Sequence, residues 1–201
     1  MANTDSAFGA VPVGTTDGSD YHGKLREVEF LVGDSVACGI GDFVTHQGTG
    51  GTDGKTPVVA RAAAGGAIIG AIVSFLPNFS DEGTLSSTPN HRAANTARKA
   101  LVAWGSQVLY VMQEDGLVTP IVTASIGLNV DIGTVGDPNT TTGISTMEID
   151  SSTVLQATGQ LRIHHLSPDA DTVLGTTANG VNANWIVSIN ESQDALGAGV
   201  A

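Results

Sequence analysis

The chain has 201 residues, a formal net charge of −12, 41% hydrophobic side chains and only 14% charged ones. This length suits one hydrophobic core with appendages, and the 26 glycines that interrupt short apolar runs exclude a helical bundle, while the hydrophobic content excludes a disordered chain. Residues 100–201 hold ten acidic side chains but one basic side chain, Arg162. Because an acidic surface repels phosphate groups, we expect no binding to nucleic acid or to a membrane surface.

The first 23 residues are rich in glycine and in small polar side chains. Their sizeable apolar groups are four spaced anchors, Phe8, Val11, Val13 and Tyr21. These are too few to build a core, so the sequence predicts an extended N-terminal arm over residues 1–23 whose anchors become ordered against a partner. The arm lacks the basic start and apolar run of a signal peptide, which predicts synthesis and folding in a cytoplasm.

A single β-rich domain is predicted for residues 24–194, followed by a C-terminal tail over residues 195–201. Its first strand is Lys24–Val32, with Val28, Phe30 and Val32 on the inward face. Further strands bounded by turn residues are predicted at Asp42–Thr45, Pro57–Arg61, Ala67–Phe75, Gln107–Gln113, Ser125–Ile132, Ser145–Ile149, Gln160–Leu166 and Asn184–Asn190. This spacing predicts a mainly β fold, a small antiparallel β-barrel or β-sandwich with at most one or two short helices.

Three segments carry additional pattern information. Ser125–Ile132 and Asn184–Asn190 alternate cleanly, which places Ile126, Leu128, Val130 and Ile132 on one face of the first and Trp185, Val187 and Ile189 on one face of the second. Gln107–Met112 is apolar on both faces, which predicts a central strand covered on both sides. The alanines of His91–Leu101 recur at helical spacing, so this segment can form a short helix.

Two glycine-rich segments resemble phosphate-binding loops only in part. In Gly48–Thr56, Thr49 occupies the position of the first P-loop glycine, and the segment leads into a predicted strand rather than a helix, which favours a hairpin loop. In Gly39-Ile40-Gly41, Val44 stands where a dinucleotide-binding motif has its third glycine, which favours a tight turn.

The one cluster with metal-ligand chemistry is His164-His165 with Asp169 and Asp171. On a regular strand adjacent side chains point to opposite faces, so the two imidazoles cannot share one ion without a bulge. The two aspartates also lack the glycine and distal glutamate of a calcium loop. The sequence therefore predicts a polar edge strand, with no metal and no cofactor.

No catalytic residues are predicted either. The chain has no Gly-x-Ser-x-Gly elbow, and its single cysteine, Cys38, has no identifiable histidine partner and is expected to be a small core residue. We therefore expect a protein that is not an enzyme.

The opening Met1–Val13 is similar to the Ala-Asn…Ala-Pro-Phe-Gly-Leu-Arg-Pro-Val start of small head proteins encoded near the major capsid gene of tailed bacteriophages. Further similar segments follow in the same order: Gly41–Val44, Val59–Ala62, Ile69–Val73, Arg92–Arg98, Val111–Asp115, Gly127–Asn129 and Trp185–Glu191. The chain thus resembles the capsid decoration (cement) proteins of tailed phages over nearly its whole length. It departs from that pattern at Ala10, where the family has a Leu-Arg pair, and in the Gly133–Gly143 insertion.

The resemblance implies a structural virion protein on the outer capsid surface. It implies a homotrimer that sits between capsomers, binds the major capsid protein and stabilises the expanded head. The alternative is a host- or glycan-binding surface module, such as a head fibre or an adhesin-like β-domain. That alternative calls for aromatic side chains in loops, whereas most of the nine aromatic residues lie in predicted strands.

Overall fold

The computed structural model describes residues 3–77, 90–117, 119–133, 136–154, 157–168 and 181–194. Its strands, in chain order, are β1 Val11–Thr15, β2 Leu25–Phe30, β3 Phe43–Gly50, β4 Pro57–Arg61, β5 Gly70–Phe75, β6 Arg98–Trp104, β7 Val108–Gln113, β8 Asn129–Val130, β9 Leu161–Leu166 and β10 Asn184–Ile189. The helices within these ranges are two 3₁₀ turns, Thr123–Ser125 and Ser151–Thr153, which are far too short to cross a membrane. The predicted mainly β fold, with a barrel and at most two short helices, is confirmed.

Five strands close into a barrel in the order β2-β4-β3-β5-β6. Neighbouring strands run antiparallel except β2 and β4, which meet as a parallel pair at Glu29 and Val58. Alternate residues point inward and fill the barrel with an apolar core of Val28, Phe30, Cys38, Val44, Val59, Ile69, Ile72, Ala100 and Val102.

The other five strands form an antiparallel sheet in the order β1-β7-β10-β9-β8, which we call the second sheet. Its inner face packs on the outside of the barrel. There the rings of Phe43 and Tyr110 meet edge to face at 5.2 Å, and the Tyr110 hydroxyl donates a 2.8 Å hydrogen bond to the Ala103 carbonyl. Trp185 and Met112 are fully buried in this larger core, so the molecule has one core inside the barrel and one between barrel and sheet.

Several predicted strands need correction. The strand predicted at Lys24–Val32 ends at Phe30, and Val32 is 65% exposed rather than inward. Ser125–Ile132 is mostly irregular, since only Asn129–Val130 pairs as a strand and Ile126 is 47% exposed. Ser145–Ile149 forms no strand, although Ile149 makes isolated β-bridges to Glu114 and Ile132.

The helix predicted at His91–Leu101 is wrong, because residues 91–97 form a loop and β6 begins at Arg98. The cause is the fully buried guanidinium of Arg92, which closes one end of the barrel 5.2 Å from the Phe30 ring centre. Its Nη1 lies 2.8 Å from the Asp34 carboxylate, and its other N–H groups bind the carbonyls of Leu31, Asp34, Val36 and Thr96. All of these acceptors belong to loops, so the segment cannot coil into a helix.

Part of the predicted N-terminal arm lies in the second sheet. β1 pairs with β7, and Ala10 is buried in the larger core. Gly9 crosses Gly41 so closely that a Cβ on Gly9 would lie 2.6 Å from the Gly41 carbonyl oxygen, and its φ of +73° also favours glycine. The C-terminal tail, residues 195–201, lies outside the described residues.

Candidate partner-binding surface

The side of the second sheet that faces away from the barrel carries an apolar groove, and we call this side the outer face. Tyr110 and Met112 point into the core, so the alternate residues Leu109 and Val111 of β7 point outward. Strand register places Val11 of β1 and Ile186 of β10 beside Val111 on the same face.

The groove has a volume of about 340 Å³ and lies across β1, β7 and β10. Val111 and Ile186 are buried in its floor. Val13, the extra residue of a bulge in β1, stands at its rim and is 44% exposed, and neighbouring Val11 is 41% exposed. The edge strand thus presents apolar side chains to solvent beside an apolar floor.

Both ends of this strand are fixed. At one end the Gln113 side chain accepts from the Ser6 N–H at 2.8 Å and donates to the Thr4 carbonyl at 2.9 Å, which ties residues 4–6 to β7. At the other end the Asp17 carboxylate accepts hydrogen bonds from Thr15 and Ser19, and these bonds lower the pKa of Asp17 to about 2. The backbone of β1 is therefore held in place at both ends.

The structure brings together two of the four predicted anchors. Val11 and Val13 share the outer face. Phe8 is half-buried and instead lines a separate polar cavity of about 180 Å³ beside Gln113. Tyr21 is half-buried against the larger core, and its hydroxyl donates to the Lys24 carbonyl.

His164 and His165 lie on the same face, contrary to the alternation expected of a regular strand. His165 pairs with Ile186 while Ile163 pairs with Val187, so His164 is the extra residue of a β-bulge. His164 Nε2 lies 2.9 Å from Ser188 Oγ, and burial, followed by the nearby Arg162, lowers the pKa of His164.

The prediction that the two histidines lie on an edge strand is wrong, since β9 lies between β10 and β8. Asp169 and Asp171 fall outside the described residues, and within the described ranges no three histidine, cysteine or carboxylate side chains converge as metal ligands do.

The other segments with suggestive motifs have structural roles. Cys38 is buried inside the barrel, and burial raises the pKa of its thiol to about 12, which disfavours the reactive thiolate. Gly48–Thr56 connects β3 to β4 as a hairpin, as predicted. Asp53 fixes this hairpin by accepting from the Lys55 and Thr56 amides and from Lys99 Nζ at 2.9 Å. Buried Asp42 accepts from Gly39 N and Ser145 Oγ, which holds the turn predicted at residues 39–41.

Sequence reasoning missed a polar cluster at the end of the barrel opposite Arg92. The guanidinium of Arg26 lies 4.4 Å above the Trp104 ring, and the His46 ring approaches the same indole edge-on at 5.1 Å. Trp104 Nε1 donates to the Asp194 carboxylate. These residues come from separate parts of the chain, so no local sequence motif indicates that they form a cluster.

Sequence reasoning also missed two carboxyl groups with raised pKa values, Glu114 and Glu148. Glu114 is fully buried and accepts from the Ile121 N–H at 2.6 Å, and burial raises its pKa to about 7. Burial, with smaller contributions from Asp5 and Asp115, also raises the pKa of Glu148 to about 7.

Comparisons of the chain with protein-family models, with curated proteins and with solved structures find no match.

Proposed function

We propose that the protein is a structural virion component rather than an enzyme, and that it decorates the outer surface of a tailed-phage capsid. In this role it binds the major capsid protein and stabilises the expanded head. The observation that carries the proposal is the fixed edge strand β1, which presents the exposed Val11 and Val13 beside the apolar groove of the outer face. The resemblance of the chain to capsid decoration proteins supports the same role.

The apolar side chains of this surface favour a protein partner that buries them. Burial of apolar surface stabilises a complex by about 25 cal/mol per Å² before the costs of association are counted. A single contact through two valines and a groove is therefore modest. Many identical copies on one capsid, each bridging several subunits, gain strength through multivalency.

Within the described residues no further strand pairs with the outer edge of β1 beyond a single bridge from Gly14 to Asp20, and this edge supports the proposal independently of the valines. A closed barrel has no free strand edges, whereas the second sheet ends at β1 and β8. An exposed edge with apolar neighbours is a liability for a free protein, unless a partner covers it.

We further propose that the protein is a homotrimer whose subunits meet through strand faces that the monomer core does not need, beside the β1 edge that faces the capsid. Leu109 and Val111 of β7 point away from the larger core, so this strand is apolar on the side that the monomer core does not need. Light scattering at micromolar concentration should give three times the monomer mass. A monomer mass at all concentrations, together with single separated subunits on decorated heads, would exclude this assembly.

Binding to purified heads that lack the protein tests the capsid role. The double variant V11D/V13D places two carboxylates at the groove, and the control V32D changes a more exposed valine elsewhere. In cosedimentation with expanded heads we expect at least about tenfold weaker binding for the double variant, which corresponds to about 1.4 kcal/mol, and no change for the control.

Equal binding by the double variant and the wild type would show that the outer face is not the docking surface. Failure of the wild-type protein to bind any head, together with saturable binding to host-cell glycans, would instead favour the surface-module alternative. Thermal unfolding and light scattering of each variant separate lost capsid binding from lost folding and from loss of the trimer.

A further inference from the structure

The two ends of the barrel differ in chemistry. Arg92 and the loops that it binds close one end. At the other end, Arg26, His46 and Trp104 occupy the inward-facing positions two residues beyond the core residues Val28, Val44 and Val102. We call this open end the barrel mouth.

The barrel mouth opens into a groove of about 390 Å³ that is lined by Arg26, His46 and Lys55. Backbone of Gly48 and Gly50 forms another part of the wall, and no atom lies within 4 Å of the position that a Cβ on Gly50 would take. A ligand can therefore approach the main chain closely there. In a chain of net charge −12, this groove gathers three of the thirteen basic and histidine side chains.

Arg26 and Lys55 differ in their pairing from three other basic side chains of the described residues, which form ion pairs. Arg61, Arg92 and Lys99 each have an aspartate or glutamate within 4.0 Å. The side chains of Arg26 and Lys55, in contrast, have no hydrogen bond or ion pair with any residue in the described part of the chain. Their charge is open to an anion from solution.

Trp104 holds the Arg26 guanidinium in a defined place. The guanidinium carbon lies 4.4 Å from the centre of the indole ring, over its face, and the N–H groups form no hydrogen bond with the described residues. A guanidinium that is already oriented loses less entropy when it binds an oxyanion through two parallel hydrogen bonds.

The acidic side chains near the groove are engaged elsewhere. Asp194 accepts from Trp104 Nε1 and lies 3.7 Å from His46 Nε2. Asp53 is bound to Lys99 and to the hairpin amides, Glu27 pairs with Lys99, and Glu29 accepts from Thr52. Arg26 and Lys55 therefore remain the two cations of the barrel mouth that have no carboxylate partner among the described residues.

We propose that the barrel mouth is a binding site for a phosphate or sulfate group. Arg26 donates two parallel hydrogen bonds to the anion, Lys55 supplies a second positive charge, and His46 donates from its ring. The site rests on the barrel alone and is independent of the proposed capsid role.

Titration of the ¹⁵N-labelled full-length protein with inorganic phosphate, at ionic strength held constant with chloride, tests this site. We expect saturable shifts confined to the Arg26 Nε–H signal and to the amides of residues 46–57. Sulfate should displace phosphate from the same groups.

Matched substitutions give the decisive comparison. R26Q and K55Q should each weaken phosphate binding about threefold or more, the range expected for a solvent-exposed ion pair, and R162Q on the second sheet should leave it unchanged. The amide spectrum of each variant reports at once whether the fold is intact. Shifts that do not saturate, an equal loss in R162Q, or undiminished binding by the R26Q/K55Q double variant would overturn the proposal.

Discussion

Arg92 shows how one side chain decides the local structure around it. A fully buried cation is costly unless every N–H finds an acceptor, and here the carboxylate of Asp34 and four loop carbonyls supply them. The segment Arg92–Arg98 is one of those that resemble decoration proteins. The structure gives this segment a stabilising role at the closed end of the barrel.

The substitution R92K tests that role. Lysine keeps the charge but has three donors on one atom, so it leaves several buried carbonyls unsatisfied. We expect the free energy of unfolding, measured in urea, to fall by about 2 to 4 kcal/mol. The control R162K, at an exposed position, should change it by less than about 0.5 kcal/mol. An equal urea midpoint for R92K and the wild type would show that the Arg92 network does not stabilise the barrel.

Glu148 makes stability depend on pH near neutrality. The folded protein retains the proton of this carboxyl up to about pH 7, whereas the unfolded chain loses it near pH 4.5. The contribution of Glu148 to stability therefore falls as pH rises from 4.5 to 7, and Glu114 contributes in the same direction, whereas the lowered pKa of His164 contributes in the opposite direction within this range. Asp17 acts with the opposite sign, but below pH 3.8 and thus outside this range.

The substitution E148Q removes the Glu148 contribution. Since this side chain is half-exposed, we expect E148Q to be more stable than the wild type by only about 1 to 2 kcal/mol at pH 8, and equally stable at pH 4.5. Urea unfolding across this pH range measures the difference, with D20N as an exposed control. A constant difference between E148Q and the wild type at all pH values would contradict this assignment.

At the scale of strands, the sequence predicts some regular elements well but misses β1 and most of β6, and it predicts the interruptions of strands badly. Pro57–Arg61 is predicted to the residue, because proline opens the strand and two valines continue it. The bulge at His164 is invisible in the sequence, since one extra residue moves a side chain to the other face without changing the composition. The barrel mouth escapes prediction for a related reason: Arg26, His46 and Trp104 lie on three strands, and only their register brings them together.

The N-terminal segment contributes to both the second sheet and the larger core, since β1 completes the sheet and Ala10 is buried beneath it. Deletion of residues 2–15 should therefore lower the free energy of unfolding by at least about 2 kcal/mol. Deletion of residues 2–7, which spares β1 and Ala10, should cost less than half as much. Unchanged urea unfolding of the longer deletion would show that the segment acts as a free arm.

At the scale of the whole molecule, the two cores have different structural roles. The closed barrel protects its own edges and buries the single thiol, so it provides a stable body. The second sheet uses the outer wall of that barrel as its base and leaves two valines exposed on the β1 strand. In the proposed role these valines contact the capsid, and the acidic surface keeps the copies apart before they assemble.

Quantitative mass spectrometry of purified phage particles that carry this gene tests the structural role most directly. If the protein decorates the capsid, its peptides should occur in a fixed, high ratio to those of the major capsid protein, and the ratio should survive repeated density-gradient purification. Absence of the protein from purified particles, with its full amount left in the cell lysate, would contradict the account.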